Sequence, residues 1–367
     1  FAVPGFLGPA EVFEREFSKP LERSKEFDPA LVELRNRLLT AIHPFILRRS
    51  KSDPVLAAEL PPKIELLHTV ELTAGQRRLY IAVQMAARKL MEKFRAVAAE
   101  LARTAPQAKS TTCHAEGSPN VRAVLKRHPV RVQLMSFLHG MIQACNHPAA
   151  VTEPQWPLDC DRHEEAFSAA PKNSSKVTRL LELLEEIMAA GEKVIIFTQY
   201  LRTVALLEAI VQDAYREVVV LTFTGRLLDV ERDEVVRRFQ EEPACRVLLV
   251  TLGVGGVGLN LTAASHVIHC DRCWNPAKEA QATDRAHRLG QQRTVVVHRM
   301  VTRDTIEEHI AARQRRKASL AVELVPEEPL ATSVFSEATM EEMFEMLDLE
   351  SAGLPEFEMD NDGASAS

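Results

Sequence analysis

Residues 246–290 read RVLLVTLGVGGVGLNLTAASHVIHCDRCWNPAKEAQATDRAHRLG, and this stretch decides the fold. Its opening, Val247 to Thr251, is apolar and β-branched, as a buried strand requires. Glycines follow at Gly253, Gly255, Gly256 and Gly258, the composition of a tight strand-to-helix turn. A second strand is expected from about Ser265 to His269. Asn275 is placed to cap a helix opening at Pro276, because proline lacks the NH that a helix start leaves unpaired. Gln281, Asp284, Arg285 and Arg288 lie three and four apart, so a helix running through them would carry them as one polar row. Two arginines on such a row suit a multiply charged phosphate. They also suit surface ion pairs with Asp284 or Glu279.

Upstream of this stretch the chain alternates strand and helix, the rhythm of a parallel α/β sheet. Ser174 or Ser175 caps a helix ending near Gly191. KVIIFTQY (193–200) is a buried strand with a polar exit. A helix over about 203–213 and the strand EVVVLTFTG (217–225) follow, then a helix capped by Asp229. Downstream, TVVVHRMV (294–301) is a further strand. Thr302 or Asp304 caps a last helix that includes Arg313, Arg315, Arg316 and Lys317. Thr198, Gln199, Thr224, Gly225, Thr251 and Asn260 fall at the carboxyl ends of these strands, where open α/β sheets bind ligands. Hydroxyls and amides there suit phosphate-backbone contacts without sequence information, or simply turns and caps.

Before the sheet the chain is mostly helical. Pro29 to Thr40 is an apolar-periodic helix, and Arg48, Arg49 and Lys51 form a basic cluster. IELLHTVE (64–71) alternates as a strand. A long helix follows with Leu72, Leu79, Val83, Leu90, Phe94 and Val97 on one side. Residues 104–120 are Ser-, Thr-, Pro- and Gly-rich and read as a mobile insertion. A second helix spans about Val130 to Cys145. The expected divisions are 1–151 helical, 152–174 linker, 175–302 sheet lobe, 303–325 basic helix and 326–367 acidic tail.

GGVGLNLTAA (255–264), DRCWNP (271–276) and QATDRAHRLGQ (281–291) together resemble the second RecA-like lobe of the Swi/Snf-type ATPases, within superfamily two of the helicases and translocases. LT-x-x-Q-x-x-LY (Leu72, Thr73, Gln76, Leu79, Tyr80) and PFILRR (44–49) resemble the helical material of the same family. The resemblance implies an α/β RecA-like parallel-sheet lobe with an N-terminal helical region and helical protrusions. It implies a double-stranded-DNA translocase using ATP and Mg²⁺, held mostly by a first lobe expected upstream of Phe1. Arg285 and Arg288 would be arginine fingers, with Gln281, Asp284, Gly255, Gly256 and Gly258 at the nucleotide. Thr198, Gln199, Thr224, Gly225, Thr251, Asn260, Arg272 and Trp274 would face nucleic acid. A bracing helix would follow the lobe. The family commonly has LKAGG and DPWWNP where this chain has Leu252–Gly256 and DRCWNP; both changes bear on local DNA contacts, for which Arg272 offers a replacement charge. Gly253-x-Gly255-x-x-Gly258 also fits a dinucleotide fingerprint, but that turn belongs in a domain's first βα unit.

The 367 residues contain no GxxxxGK[ST] phosphate loop and no DEAH motif. The chain alone is therefore expected not to hydrolyse ATP; the alternative is a silent DNA- or protein-binding module. The start at Phe1 suggests a fragment. The formal charge of −6 divides unevenly: thirteen Asp and Glu and no Lys or Arg follow Lys317, leaving +7 over residues 1–317. A basic body with an acidic tail fits a nucleic-acid binder whose tail screens it or seeks a protein partner, or an ordinary solvated tail. Met340 to Leu349 is an acidic amphipathic helix candidate. Six scattered cysteines, with CxxC at Cys270 and Cys273 but no second pair, indicate neither a zinc site nor a disulfide framework. An intracellular chain is expected, with no membrane partner: no apolar run would span a bilayer.

Overall fold

The computed structural model describes residues 60–104, 129–151, 168–254 and 259–324, together with Val12 and Glu33. Residues 1–60 and 61–367 cluster as two units, and the sheet with its helices belongs to the second. The helix at 29–40 (Glu33 excepted, which is helical), the 48–51 basic cluster, most of the 104–120 insertion, Gly255–Gly258 and the acidic tail lie outside the described residues.

Six strands form one all-parallel sheet: β1 (Lys63–Val70), β2 (Val194–Thr198), β3 (Val219–Phe223), β4 (Cys245–Thr251), β5 (His266–His269) and β6 (Val295–Thr302). Their spatial order is β1-β6-β5-β2-β4-β3. β2 and β4 are buried almost throughout, as central parallel strands covered on both faces must be. This is the α/β RecA-like sheet expected. Its edge lies further upstream than the 175–302 span suggests. β1 runs parallel to β6 over its whole length, Lys63 opposite Val295 to Val70 opposite Thr302.

Seven α-helices lie among the described residues of this unit: α1 (Ala74–Thr104), α2 (Pro129–Asn146), α3 (Ser175–Ala189), α4 (Leu201–Ala214), α5 (Asp229–Glu241), α6 (Pro276–Thr283) and α7 (Ile306–Leu324). Two apolar layers flank the sheet. Ile195, Phe197, Leu248, Val250, Phe239 and Ala282 pack on one face. Val194, Ile196, Leu249, Leu180, Leu184 and Leu207 pack on the other. A third core joins α1, α2 and the start of α7 through Leu79, Val83, Leu138, Met141, Ile306 and Ile310.

The helix boundaries have local causes. Thr73 and Gln76 form a reciprocal capping box: the Thr73 hydroxyl accepts from Gln76 N at 3.2 Å, and Gln76 Oε1 accepts from Thr73 N at 3.2 Å. Gln76 Nε2 then donates to the last carbonyls of α2, Ala144 and Cys145, at 2.9 and 3.0 Å. Ser174 caps α3 by accepting from Val177 N, and Gly191 closes it at φ 71, a left-handed value that favours glycine. Two expected caps move. α5 begins at Asp229 itself, and Glu231 reaches back to Leu228 N at 2.8 Å. α7 is capped by Thr305, neither Thr302 nor Asp304: its hydroxyl accepts from Glu307 N and donates to the Thr302 carbonyl. Tyr80 accepts from Ile306 N at 2.8 Å, pinning the start of α7 to α1. No helix among the described residues is long and apolar enough to cross a membrane.

Candidate functional site

The site sits at the carboxyl edge of the sheet, where the loops after β2, β4 and β5 meet. Leu252 N donates to Thr198 O and Cys270 N to Phe197 O, both at 2.9 Å, so the three loops start from a continuous ladder. Gly225, after β3, lies against the β4 loop: a Cβ there would stand 3.5 Å from Val254.

Asp271 is the hub of this edge; it opens the DRCWNP stretch, but nothing in the sequence assigns it a role of its own. Its carboxylate accepts from the Thr198 hydroxyl at 2.5 Å, Gln199 N at 3.1 Å, Gln199 Nε2 at 3.2 Å and Asn146 Nδ2 at 2.9 Å. Asn146 Oδ1 in turn accepts from Lys176 Nζ at 3.0 Å, and Lys176 pairs with Glu307. A buried polar chain therefore runs from α7 through α3 and the end of α2 to the exit of β2. Its members are spread from residue 146 to 307, so no spacing in the sequence could reveal it.

This chain reassigns several expected contacts. Thr198 is fully buried and its hydroxyl is engaged by Asp271. Thr251 is buried as the last residue of β4. Arg272 is 6% exposed: it pairs with Glu279 at 3.1 Å and donates to Gln314 of α7. Burial pushes the Arg272 guanidinium below its ordinary value and the Glu279 carboxyl above its own, while each charge favours the ionised form of the other. The three side chains serve the interior, where nucleic-acid contacts were expected. Gln199, Thr224, Gly225, Asn260 and Trp274 keep exposed surface. Gln199 is held by Asp271 and by the Arg272 carbonyl, and Thr224 forms a turn with Leu227. Trp274 packs against the α1–α2 core with its indole NH buried and unpartnered among the described residues.

The arginine segment also departs from expectation. Asn275 caps α6 through Ala277 N at 2.9 Å, with Pro276 first, as expected. The helix stops at Thr283, however, so Gln281, Asp284, Arg285 and Arg288 do not share one helical row. The chain tightens there into turns, with Arg285 N bonding Ala282 O and Ala286 N bonding Thr283 O. The Arg285 carbonyl is taken by Leu261 N at 3.0 Å, which removes it from any helical ladder. Gln291 braces the turn, donating to the carbonyls of Thr262, Ala264 and Ala286. Gly290 at φ 99 completes it.

The result brings two guanidinium groups together on a loop. Burial first, and then the neighbouring Arg288 charge, hold Arg285 below the ordinary arginine value, with Asp284 offsetting them. Arg288 is exposed and enters none of the ion pairs among the described residues. Glu279 is committed to Arg272 and does not neutralise it. Gln281 is exposed on α6 nearby. Concentrated positive charge on a braced turn fits an anionic group. Among the described residues, no group of His, Cys, Asp and Glu is arranged to hold a metal. Cys270 and Cys273 are buried thiols, pushed up to about 12 and about 11 by burial.

Residues 175–290 match the family model of the helicase conserved C-terminal domain, and residues 1–149 that of the SNF2-related domain. The chain is 33% identical over 345 residues to the putative ATP-dependent helicase/translocase YwqA of Bacillus subtilis, covering 94% of this chain and 32% of that protein. It is 31% identical to the TATA-binding protein-associated factor MOT1 of Saccharomyces cerevisiae, covering 89% of this chain and 18% of that protein. The chain thus spans a third or less of these relatives. Among solved structures, the Sulfolobus solfataricus SWI2/SNF2 ATPase core in complex with dsDNA is similar at 28% identity and TM-score 0.53, over 94% of this chain and 61% of that one. The C-terminal domain of the same ATPase shares the fold at 24% identity and TM-score 0.50, over 78% of this chain and 99% of that one.

Proposed function

Since the chain belongs to the Swi/Snf-type, superfamily-two helicase-like ATPases, we propose that it supplies the C-terminal half of an ATP-dependent double-stranded-DNA translocase. The observation that carries this reading is the exposed Arg288, which enters none of the described ion pairs and lies near enough for its charge to act on Arg285. Such a cationic turn is what phosphoryl transfer asks of a second lobe, because its transition state is stabilised mainly by positioned positive charge.

In this reading Arg285 and Arg288 reach phosphates bound by a partner lobe. Gln281 orients the same group, with Asp284 tuning the arginines; Gly255, Gly256 and Gly258, outside the described residues, are assigned to the nucleotide from the sequence alone. When bound, ATP would supply the phosphoryl group and Mg²⁺ would neutralise its oxygens. The described residues offer no carboxylate cluster for that ion, so its ligands are assigned to the lobe that carries the phosphate loop. Gln199, Thr224, Gly225, Asn260 and Trp274 face the duplex, where polar groups grip the sugar-phosphate backbone without reading sequence. The two lobes would alternate this grip as nucleotide binds and leaves. α7 is the bracing helix, with Gln314 tying it to Arg272 and Glu279.

The test joins this chain to a first lobe bearing a phosphate loop and measures ATP turnover with and without duplex DNA. DNA-stimulated turnover that disappears in Arg288→Ala, with duplex binding retained, supports the reading. Turnover unchanged by that substitution overturns the arginine role. Steady turnover by the 367-residue chain alone overturns the requirement for a first lobe.

A further inference from the structure

A shallow groove of ≈ 280 Å³ lies between α1 and α2, lined by Ala86, Leu90, Gln133, Ser136 and Phe137. Two exposed lysines, Lys89 and Lys93, stand one helical turn apart along it. The apolar strip continues one turn earlier on each helix, in Met85 (55% exposed) and Val132 (72% exposed). Exposed apolar side chains are unremarkable singly. Here Ala86, Leu90 and Phe137 line one concave surface with a lysine rim, Met85 stands one turn before Lys89 and Val132 one turn before Ser136, and neither the nucleotide nor the duplex role uses this surface.

The sequence contains a segment with the complementary pattern. Met340, Met343, Phe344 and Leu347 repeat at the i, i+3, i+4, i+7 spacing of a groove-binding helix. Glu341, Glu342, Glu345 and Asp348 are interspersed, with no basic residue between Ala318 and the end of the chain. Thr339 and Glu342 stand at capping-box spacing. Methionine side chains adapt to irregular apolar surfaces. α7 begins inside the same core as α1 and α2, through Ile306 and Ile310. The fifteen residues from 325 to 339 can extend by roughly 50 Å, more than the roughly 27 Å that α7 runs away from that core.

We propose that the groove between α1 and α2 is the docking site for this chain's own segment 340–349, seated as an amphipathic helix with its carboxylates on Lys89 and Lys93. The two surfaces match in both apolar spacing and charge. The connection between α1 and α2, residues 105–128, carries Lys109, Arg122, Lys126 and Arg127 against one Glu116, and has the wrong sign to sit against that rim. The docked tail would tie its acidic charge to a protruding helix pair. This proposal does not depend on the translocase reading.

The test uses the full 367-residue chain with a benzophenone amino acid at Gln133, an exposed residue on the groove wall. Light- and heavy-labelled chains are mixed before irradiation, and the cross-linked peptides are identified by mass spectrometry. Cross-links to 340–349 within one molecule are expected. They should fall roughly tenfold in Lys89→Glu/Lys93→Glu and return when Glu341→Lys/Glu345→Lys is added. Both lysines are exposed, so circular dichroism should show an unchanged fold. Cross-links to 105–128, mixed light–heavy pairs, absence of any cross-link, or cross-linking indifferent to charge reversal would each overturn the proposal.

Discussion

Lys176 Nζ and Glu307 Oε1 meet 2.6 Å apart inside the molecule, at 1% and 0% exposure, although 131 residues separate them in sequence. Glu307 also accepts from Thr302 N at 2.9 Å, and Lys176 donates to Asn146. A buried pair with its remaining hydrogen bonds filled holds together, but removing one partner strands a charge away from water. Lys176→Met is expected to cost about 3–5 kcal/mol in urea unfolding, and Lys176→Met/Glu307→Leu to recover most of it. Burial lowers the Lys176 pKa, and Glu307 with Cys270 and Cys145 raises it more, to a net position above the ordinary lysine value of 10.5. The lysine's protonation should therefore contribute fully below about pH 10.5 and its contribution fade as pH rises through the higher folded value. A single Lys176→Met variant as stable as the parent would mean that the pair does not hold α7 to α3.

A second expectation concerns acid. Glu192 Oε2, His266, His298 and His68 form a line across β5, β6 and β1, with contacts of 2.6, 3.0 and 2.9 Å. One proton arrangement satisfies all three contacts. His266 Nε2 donates to Glu192, His298 Nε2 to His266 Nδ1, and His68 Nε2 to His298 Nδ1, each ring neutral. Burial, then the neighbouring His266 and His68, hold His298 down to about 4. Burial and the charges of Arg299 and Arg272 hold His269 down to about 3. Both groups have folded values below the ordinary 6.5. Their contribution is thus full above pH 6.5 and is lost progressively as pH falls toward 4, while the unfolded chain takes up protons first. The urea midpoint should drop across that window, and His298→Gln should flatten the drop. A parent midpoint level from pH 6.5 to 4 would contradict the neutral chain.

The sheet was largely legible in the sequence, and the reason is physical. Val194–Thr198, Cys245–Thr251 and Val295–Thr302 are β-branched runs bounded by turn residues, and burial on both faces leaves no alternation to misread. The β1 edge was harder: Ile64, Leu66 and Leu67 are 48%, 42% and 61% exposed, so nothing in their pattern says which strand they join. The arginine segment misled because helical spacing continues through Arg288 while the backbone does not. Leu261 takes the Arg285 carbonyl, a tertiary contact that periodicity cannot express. Arg272 misled because a lone arginine in a polar turn reads as exposed until Glu279 and Gln314 are placed around it.

Arg288 and Arg285 should separate cleanly in a two-lobe protein. Arg288 is exposed and outside the described ion pairs, so Arg288→Ala should leave the unfolding free energy within about 0.5 kcal/mol of the parent. The same change is expected to lower DNA-stimulated turnover on the order of 10³-fold, the scale of a removed arginine finger. The Arg285 side chain is partly buried, whereas the carbonyl that holds Leu261 is backbone and survives substitution. Arg285→Ala should therefore lose both turnover and some stability. Equal turnover in Arg288→Ala and parent would place the phosphate-directed charge elsewhere.

Arg272 allows the interior and the nucleic-acid face to be told apart in one variant. Its guanidinium is bound to Glu279, whose other oxygen accepts from Cys273 N at 2.7 Å and from Gln314 at 3.0 Å. Removing the arginine leaves a carboxylate at 2% exposure with its charge uncompensated, save for Arg299 at 3.8 Å. Arg272→Ala should cost about 3 kcal/mol of stability and loosen α7 at Gln314, read as faster amide exchange along that helix. A phosphate contact behaves differently: its loss lowers the salt dependence of duplex binding by nearly one unit of slope and leaves folding almost untouched. Duplex binding by Arg272→Ala, measured between about 50 and 200 mM salt where the variant remains folded, should keep the parent slope. A reduced slope with parental stability would return Arg272 to the DNA face and leave Glu279 needing another partner.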